Sequence, residues 1–216
     1  MIHQNLLFGI FKPSPSSSII QEAERLRDTG LALTAYFYFD FKDPNKQQVS
    51  GFLASVVSQL SAKSHACYDI LSALYSEYDA GSRRPGEDAL MDCFVNMLKI
   101  EGRPTVYIIM DSIDECPSSS GVVTPRVRVL QLVEKLVSLQ LANVRICAVS
   151  RPEVDIRASL ESLALHTVSL HDEDGQKEDI YNYVRSVIYS PRNMRNWRVK
   201  DKEMVISTPC KKANGM

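Results

Sequence analysis

Apolar residues along this chain follow two different rhythms. Five short stretches are continuous in apolar residues or rich in β-branched and aromatic ones: "NLLFGIF" at 5–11, "LALTAYFYFDF" at 31–41, "TVYIIMD" at 105–111, "NVRICAVS" at 143–150 and "ALHTVSL" at 164–170. Such runs predict buried strands. Between them apolar residues return every three or four positions, the period of a helix with one buried face. Ile19, Ile20, Ala23 and Leu26 mark a helix over 19–30, and Val49, Phe52, Leu53, Val56, Val57 and Leu60 mark another over 47–62. Ile70, Leu71, Leu74 and Tyr75 mark a third over 66–78, and the same spacing predicts helices over 89–100, 126–140, 151–163 and 172–188. A last helix over 201–216 is expected to break at Pro209. Ser16 to Ser18 offer N-cap hydroxyls, Gly30 a stop, and "KDPNK", "DAGSRRPGED" and "PSSSGVVTP" read as loops.

Strands that alternate with helices require right-handed crossovers, hence a mainly parallel sheet with helices on both faces, a three-layer α/β fold. With 216 residues, 44% of them hydrophobic, the chain can bury one sizeable core, or one core and a small appendage. The formal charge of −1, from 25 basic and 26 acidic residues, gives no basic excess for a nucleic-acid groove. The 5 cysteines are scattered without a CxxC pair, which points to reduced, buried thiols rather than disulfides or zinc. The N-terminal apolar run has only His3 before it and no small-residue cleavage site, and no stretch is long enough to cross a membrane. A cytoplasmic protein without membrane or nucleic-acid partners is the expectation by default.

One strand then stands out. In "TVYIIMDSIDEC" the apolar run from Val106 to Met110 meets three acids, Asp111, Asp114 and Glu115. Ligands of open parallel sheets sit beyond the carboxyl ends of the strands, and Asp111 holds the first position there. A carboxylate in that place can hold magnesium, directly or through water. Asp114 and Glu115, one short turn further on, are placed to polarise a water attacking a phosphate, although Asp114 could equally cap a turn. "VRICAVSRPE" repeats the pattern with Ser150 and Arg151. If 144–150 pairs beside 105–111, Arg151 shares the crevice with Asp111 and can read a terminal phosphate bidentately. The alternative is an arginine paired with Glu153 or Asp155 at a helix start.

With these two segments, and the later "DIYNYVR" and "KEMVIS", the chain resembles the NACHT branch of the STAND P-loop NTPases from about residue 16 onward. The likeness is to the nephrocystin-like version of many fungal multidomain receptors, where ankyrin or other repeats often follow. It implies a P-loop NTPase-like sheet, with the Asp-x-x-Asp-Glu segment as the Walker B motif. It further implies Asp111 as the metal residue, Asp114 and Glu115 as the catalytic acids, and Ser150 with Arg151 as a phosphate sensor. Magnesium and ATP or ADP are the implied cofactors, and self-association or assembly with other receptor-like subunits the implied partnership. Members act as nucleotide-driven signalling switches.

That family carries Gly-Lys-Ser/Thr between its first strand and first helix, where backbone N–H groups cradle phosphates and the lysine neutralises charge. No glycine in this sequence precedes a lysine, and "KPSPSSS" stands where the loop belongs. Pro13 and Pro15 lack amide hydrogens, and Lys12 precedes the prolines rather than opening the helix. The expectation is therefore an NTPase fold incomplete at both ends, with weak ATP binding. Residues 1–15 are expected to be a degenerate strand and loop, 16–172 a NACHT-like core, and 173–216 the start of a helical part. A lost or spliced-out loop and a fragmentary chain both account for this. A scaffold that keeps the fold without the nucleotide is the competing reading. Isolated His3, His65, His166 and His171 suggest no metal set, the serine runs at 16–18 and 118–120 lack a Gly-x-Ser-x-Gly elbow, and Trp197 is expected to pack under the last helix.

Overall fold

The computed structural model describes residues 6–10, 20–21, 24–25, 29–118, 123–169, 185, 188–189 and 197–212. The chain divides into two compact units, Met1–Val168 and Ser169–Met216. The first contains nearly all of a five-stranded sheet: β1 (Leu6–Ile10), β2 (Ala32–Tyr38), β3 (Thr105–Asp111), β4 (Val144–Ser150) and β5 (Ala164–Ser169), in the order β2-β3-β4-β1-β5. The β2–β3, β3–β4 and β1–β4 pairings are all parallel. Among the described residues the helices that accompany them include α1 (Val49–Ser61), α2 (His65–Glu77), α3 (Glu87–Leu98), α4 (Pro125–Ser138) and α5 (Val154–Leu160). The α/β fold and the pairing of 105–111 with 144–150 are as the sequence predicts.

Each face of the sheet is sealed separately. On one, Leu33, Ala35 and Phe37 of β2, Val106, Ile108 and Met110 of β3, and Val144, Ile146 and Ala148 of β4 pack with the apolar stripes of α1, α3, α4 and α5. Phe52 of α1 meets Phe37 and Phe94 edge-on, tying β2, α1 and α3 together. On the other face Ile109, Cys147 and Val149 cluster with Ile20, which lies in a helical stretch. Burial on both sides explains why β3 from Val106 to Met110 and β4 from Ile146 to Val149 read as apolar runs. The edge strand β2 is covered by α1: Gln59 accepts from the Tyr36 N–H at 3.1 Å and donates to the Tyr36 carbonyl at 2.7 Å. Beyond the end of α1, Lys63 donates to the Thr34 carbonyl at 2.7 Å.

Several boundaries differ from expectation. β2 stops at Tyr38, because β3 ends opposite it at Asp111 and only one further bond, Phe39 N–H to the Asp111 carbonyl at 3.0 Å, prolongs the ladder. Phe39 then turns into the core while Phe41 faces solvent. The "KDPNK" stretch contains a 3-10 turn, Pro44–Gln47, capped by Asp43. α5 starts at Val154 rather than at Arg151, so Arg151 to Glu153 lead into the helix without belonging to it. In the second unit α6 (Val199–Lys212) runs through Pro209 instead of breaking there, and Trp197 is half-exposed. Of the degenerate strand and loop expected over 1–15, residues 1–5 and 11–15 lie outside the described residues, as does most of the helix expected over 172–188.

Candidate functional site

The strand order reverses direction about β1: the chain leaves it for β2 past β4 and β3, and later leaves β4 for β5 on the other side. Crevices in open α/β sheets form outside the carboxyl ends at such a point. The register brings Ile10 level with Ser150 and Met110 level with Ala148, so the ends of β1, β3 and β4 open together. Asp111 and the Ser150–Arg151 pair thus stand at neighbouring strand ends in the middle of the sheet.

After Asp111 the backbone turns sharply. Ser112 adopts the left-handed conformation (φ 58°), and Ile113–Glu115 form one 3-10 turn anchored by the fully buried Ile113. This turn sends the two later acids in different directions. The side chain of Asp114 folds back against β4, leaving 8% of its surface exposed. One of its carboxylate oxygens accepts from the Arg151 N–H at 3.0 Å and from the Ser150 hydroxyl at 3.2 Å. The other lies 3.4 Å from the Arg151 Nε. Glu115 instead accepts from the Phe41 N–H at 3.1 Å, reaching the loop after β2. Asp114 therefore clasps the end of β4 and Glu115 the end of β2, while Asp111 occupies the tip of β3. The arginine–acid pairing differs from the alternative at the α5 start: Arg151 pairs with Asp114, and Asp155 with Arg126.

The field at this rim is negative. Burial first, then the nearby Asp111, Tyr36 and Glu24, push the Tyr38 phenol above its ordinary range. Burial, with Asp111 as the second cause, raises the Cys147 thiol to about 12. Among the described residues no group of three or more histidine, cysteine or acidic side chains could hold a metal ion. A lone carboxylate such as Asp111 differs from a protein cage of several ligands. That suits magnesium, which keeps waters and takes one or two carboxylates together with substrate phosphates.

Residues 12–151 match the family described as Nephrocystin 3, N-terminal. The chain belongs to that family. No curated protein matches the chain. Among solved structures, the Aeropyrum pernix ORC2 protein in its ADPNP–ADP complexes is similar with a TM-score of 0.47 and 13% identity, over 83% of this chain and 44% of that one. The E. coli MS115-1 HORMA:CdnC:Trip13 complex is similar with a TM-score of 0.35 and 11% identity, over 89% of this chain and 67% of the other. The chain thus spans less than half the length of the ORC2 protein.

In this nephrocystin 3 N-terminal domain one member of the site was missed by sequence reasoning. Arg126, in the first turn of α4, is 8% exposed overall. It donates to the Asp114 carbonyl at 2.6 Å, to the Cys116 carbonyl at 3.0 Å, and to both Asp155 oxygens at 3.4 Å. A signal was present: Arg126 shares the helical spacing of Val129, Leu130 and Val133, so the apolar stripe of α4 contains a cation. A buried arginine must find acceptors. Thr124 caps this helix through the Val127 N–H, and Pro125 fits its first turn.

Proposed function

We propose that this domain is a nucleotide switch of the NACHT type whose ATP binding and hydrolysis are impaired. The observation that carries the reading is the meeting of Asp111 with Ser150–Arg151 at adjacent strand ends beside the topological reversal at β1. In this reading Asp111 would hold magnesium together with phosphate oxygens and water, and the cation would neutralise the Asp111 charge that, after burial, raises Tyr38. Bound magnesium would supply charge neutralisation at the phosphates. Arg151, with 60% of its side chain exposed, can leave Asp114 at little cost and turn to a terminal phosphate, while Ser150 stays to hold the acid. Asp114 and Glu115 belong to the acidic pair that orients a water; in the structure described here both are engaged with backbone N–H groups. ADP and ATP would be told apart by whether a terminal phosphate competes for Arg151. Assembly with further copies or receptor-like subunits is the output the family resemblance suggests.

Impairment follows from the sequence, in which no Gly-Lys-Ser/Thr is present. Losing several phosphate hydrogen bonds of about 1.5–3 kcal/mol each weakens binding by orders of magnitude. A second reading, a scaffold that keeps the fold without a nucleotide, is favoured by the internal use of Asp114 and Glu115 as ties between strand ends. Titration with a fluorescent ATP analogue in magnesium separates the readings. Roughly millimolar binding that disappears in Asp111→Ala is expected. Micromolar binding would mean an unimpaired site, and no binding at several millimolar by a chain with a folded circular-dichroism spectrum would leave only the scaffold.

A further inference from the structure

We infer that Arg126 is the positioning residue of this site, coupling the acidic turn after β3 to helix α5 after β4. The inference deepens the nucleotide reading but can fail independently of it. Its basis is a closed ring of contacts. Arg126 donates to the Asp114 carbonyl, and the Asp114 carboxylate accepts from the Ser150 hydroxyl and the Arg151 N–H. The chain runs from Arg151 into α5, and Asp155 in the first turn of α5 returns to Arg126 at 3.4 Å. Every segment that carries a candidate site residue beyond β3 and β4 is part of this ring.

The chemistry suits only arginine. Its planar fork holds three acceptors on two elements at once, Nε on Cys116, one terminal nitrogen on Asp114 and the other on Asp155. Ser112 is in the left-handed region, where a residue with a side chain needs its surroundings to hold it. The 3-10 turn that follows has one backbone bond closing it at each end, Glu115 N–H to the Ser112 carbonyl and Cys116 N–H to the Ile113 carbonyl. Arg126 occupies the carbonyls of Asp114 and Cys116, which those two bonds leave over. A shift of Arg151 away from Asp114 loosens one link of the ring, and Arg126 carries the effect to Asp155 and α5. A cation whose work was solely to fill the core would have no reason to end on the carboxylate of Asp155, nearly half exposed at 47%.

Amide hydrogen exchange on the full chain tests this without any ligand. Arg126→Met should speed exchange about tenfold both at 113–116 and at 153–157. Asp155→Asn, at a partly exposed site, leaves the chain folded and should speed exchange at 113–116 about threefold, although that turn is distant in sequence. The double variant should exchange no faster there than Arg126→Met alone, since both act through one contact. Arg128→Met on the same helix, which breaks an ion pair with Glu87, should leave both stretches unchanged. Exchange at 113–116 that is indifferent to Asp155→Asn, or that rises equally through 106–110 in Arg126→Met, would overturn the coupling. Fluorescent ATP titration of the wild-type chain adds a second arm: no nucleotide binding sinks the nucleotide reading, while the exchange result still decides the role of Arg126.

Discussion

Asp111 acts on its surroundings before any ligand arrives: after burial, its charge is the second cause that raises both the Tyr38 phenol and the Cys147 thiol. The Cys147 thiol, buried and near Asp111, and the Cys116 thiol, buried beside Asp114 and Glu115, both stand at about 12 against an ordinary 9.0. In each case burial is the larger cause, and for Cys116 the guanidinium of Arg126 pulls partly the other way. The unfolded chain therefore loses these protons first as the pH rises. Their contribution to stability is complete below about pH 9 and is lost progressively towards pH 12, at up to about 1.4 kcal/mol per pH unit for each thiol. Thermal melts at about pH 8 and about pH 10.5 should show a falling midpoint, and Cys147→Ala should flatten the fall. An unchanged slope in that variant would mean that the thiol ionises as readily in the fold as outside it. At this scale the candidate residues were legible from position alone: a polar residue in the first place after an apolar strand has nowhere to go but the rim. What they touch was not legible, since Asp114 reaches Ser150 and Arg151 only because Ser112 turns the backbone left-handed.

Elements show the same division. The periodic stripes of α1, α3 and α4 translate into buried faces, with boundaries moved by one or two residues, because a helix that must bury one face repeats its apolar residues wherever it lies; in α2 only Cys67 is buried, Ile70, Leu71 and Leu74 are partly buried, and Tyr75 is exposed. β2 is shorter than its sequence pattern predicts, since Phe39 and Phe41 continue the aromatic run although the partner strand has ended. α5 is shorter than its pattern predicts because "RPE" looks like a helix start, whereas Arg151 lends its N–H to Asp114. Polar residues on an otherwise apolar helix were the overlooked signal. Gln59 on α1 satisfies both backbone groups of Tyr36 at the open edge of the sheet, as Arg126 satisfies the acidic turn. Gln59→Ala leaves a part-buried N–H and carbonyl without partners and should cost about 1–2 kcal/mol in urea denaturation. The uncovered edge should also make the variant more prone to associate, read by light scattering. A variant as stable and as monodisperse as the wild type would show that water serves the edge equally well.

For the sheet unit as a whole, stability is set by the centre, and the candidate site lies at the strand ends. Ile108 is fully buried in the middle of the sheet, whereas Leu165 on the edge strand β5 is 57% exposed. Ile108→Ala should cost about 2–5 kcal/mol and Leu165→Ala less than about 1 kcal/mol by urea denaturation. Comparable losses would mean that the core is not centred on β3 and β4. The sequence by itself determined the alternation of strands and helices, the apolar interior of β3 and β4, and which residues come to their ends, because each depends on local period and on hydrophobic burial. Only the tertiary structure decided that β1 lies between β4 and β5, that Asp114 turns to β4 and Glu115 to β2, and that Arg126 binds the two halves of the mouth. Those outcomes depend on which chain segments become neighbours, and a one-dimensional pattern of polar and apolar residues carries no record of the neighbour across the sheet.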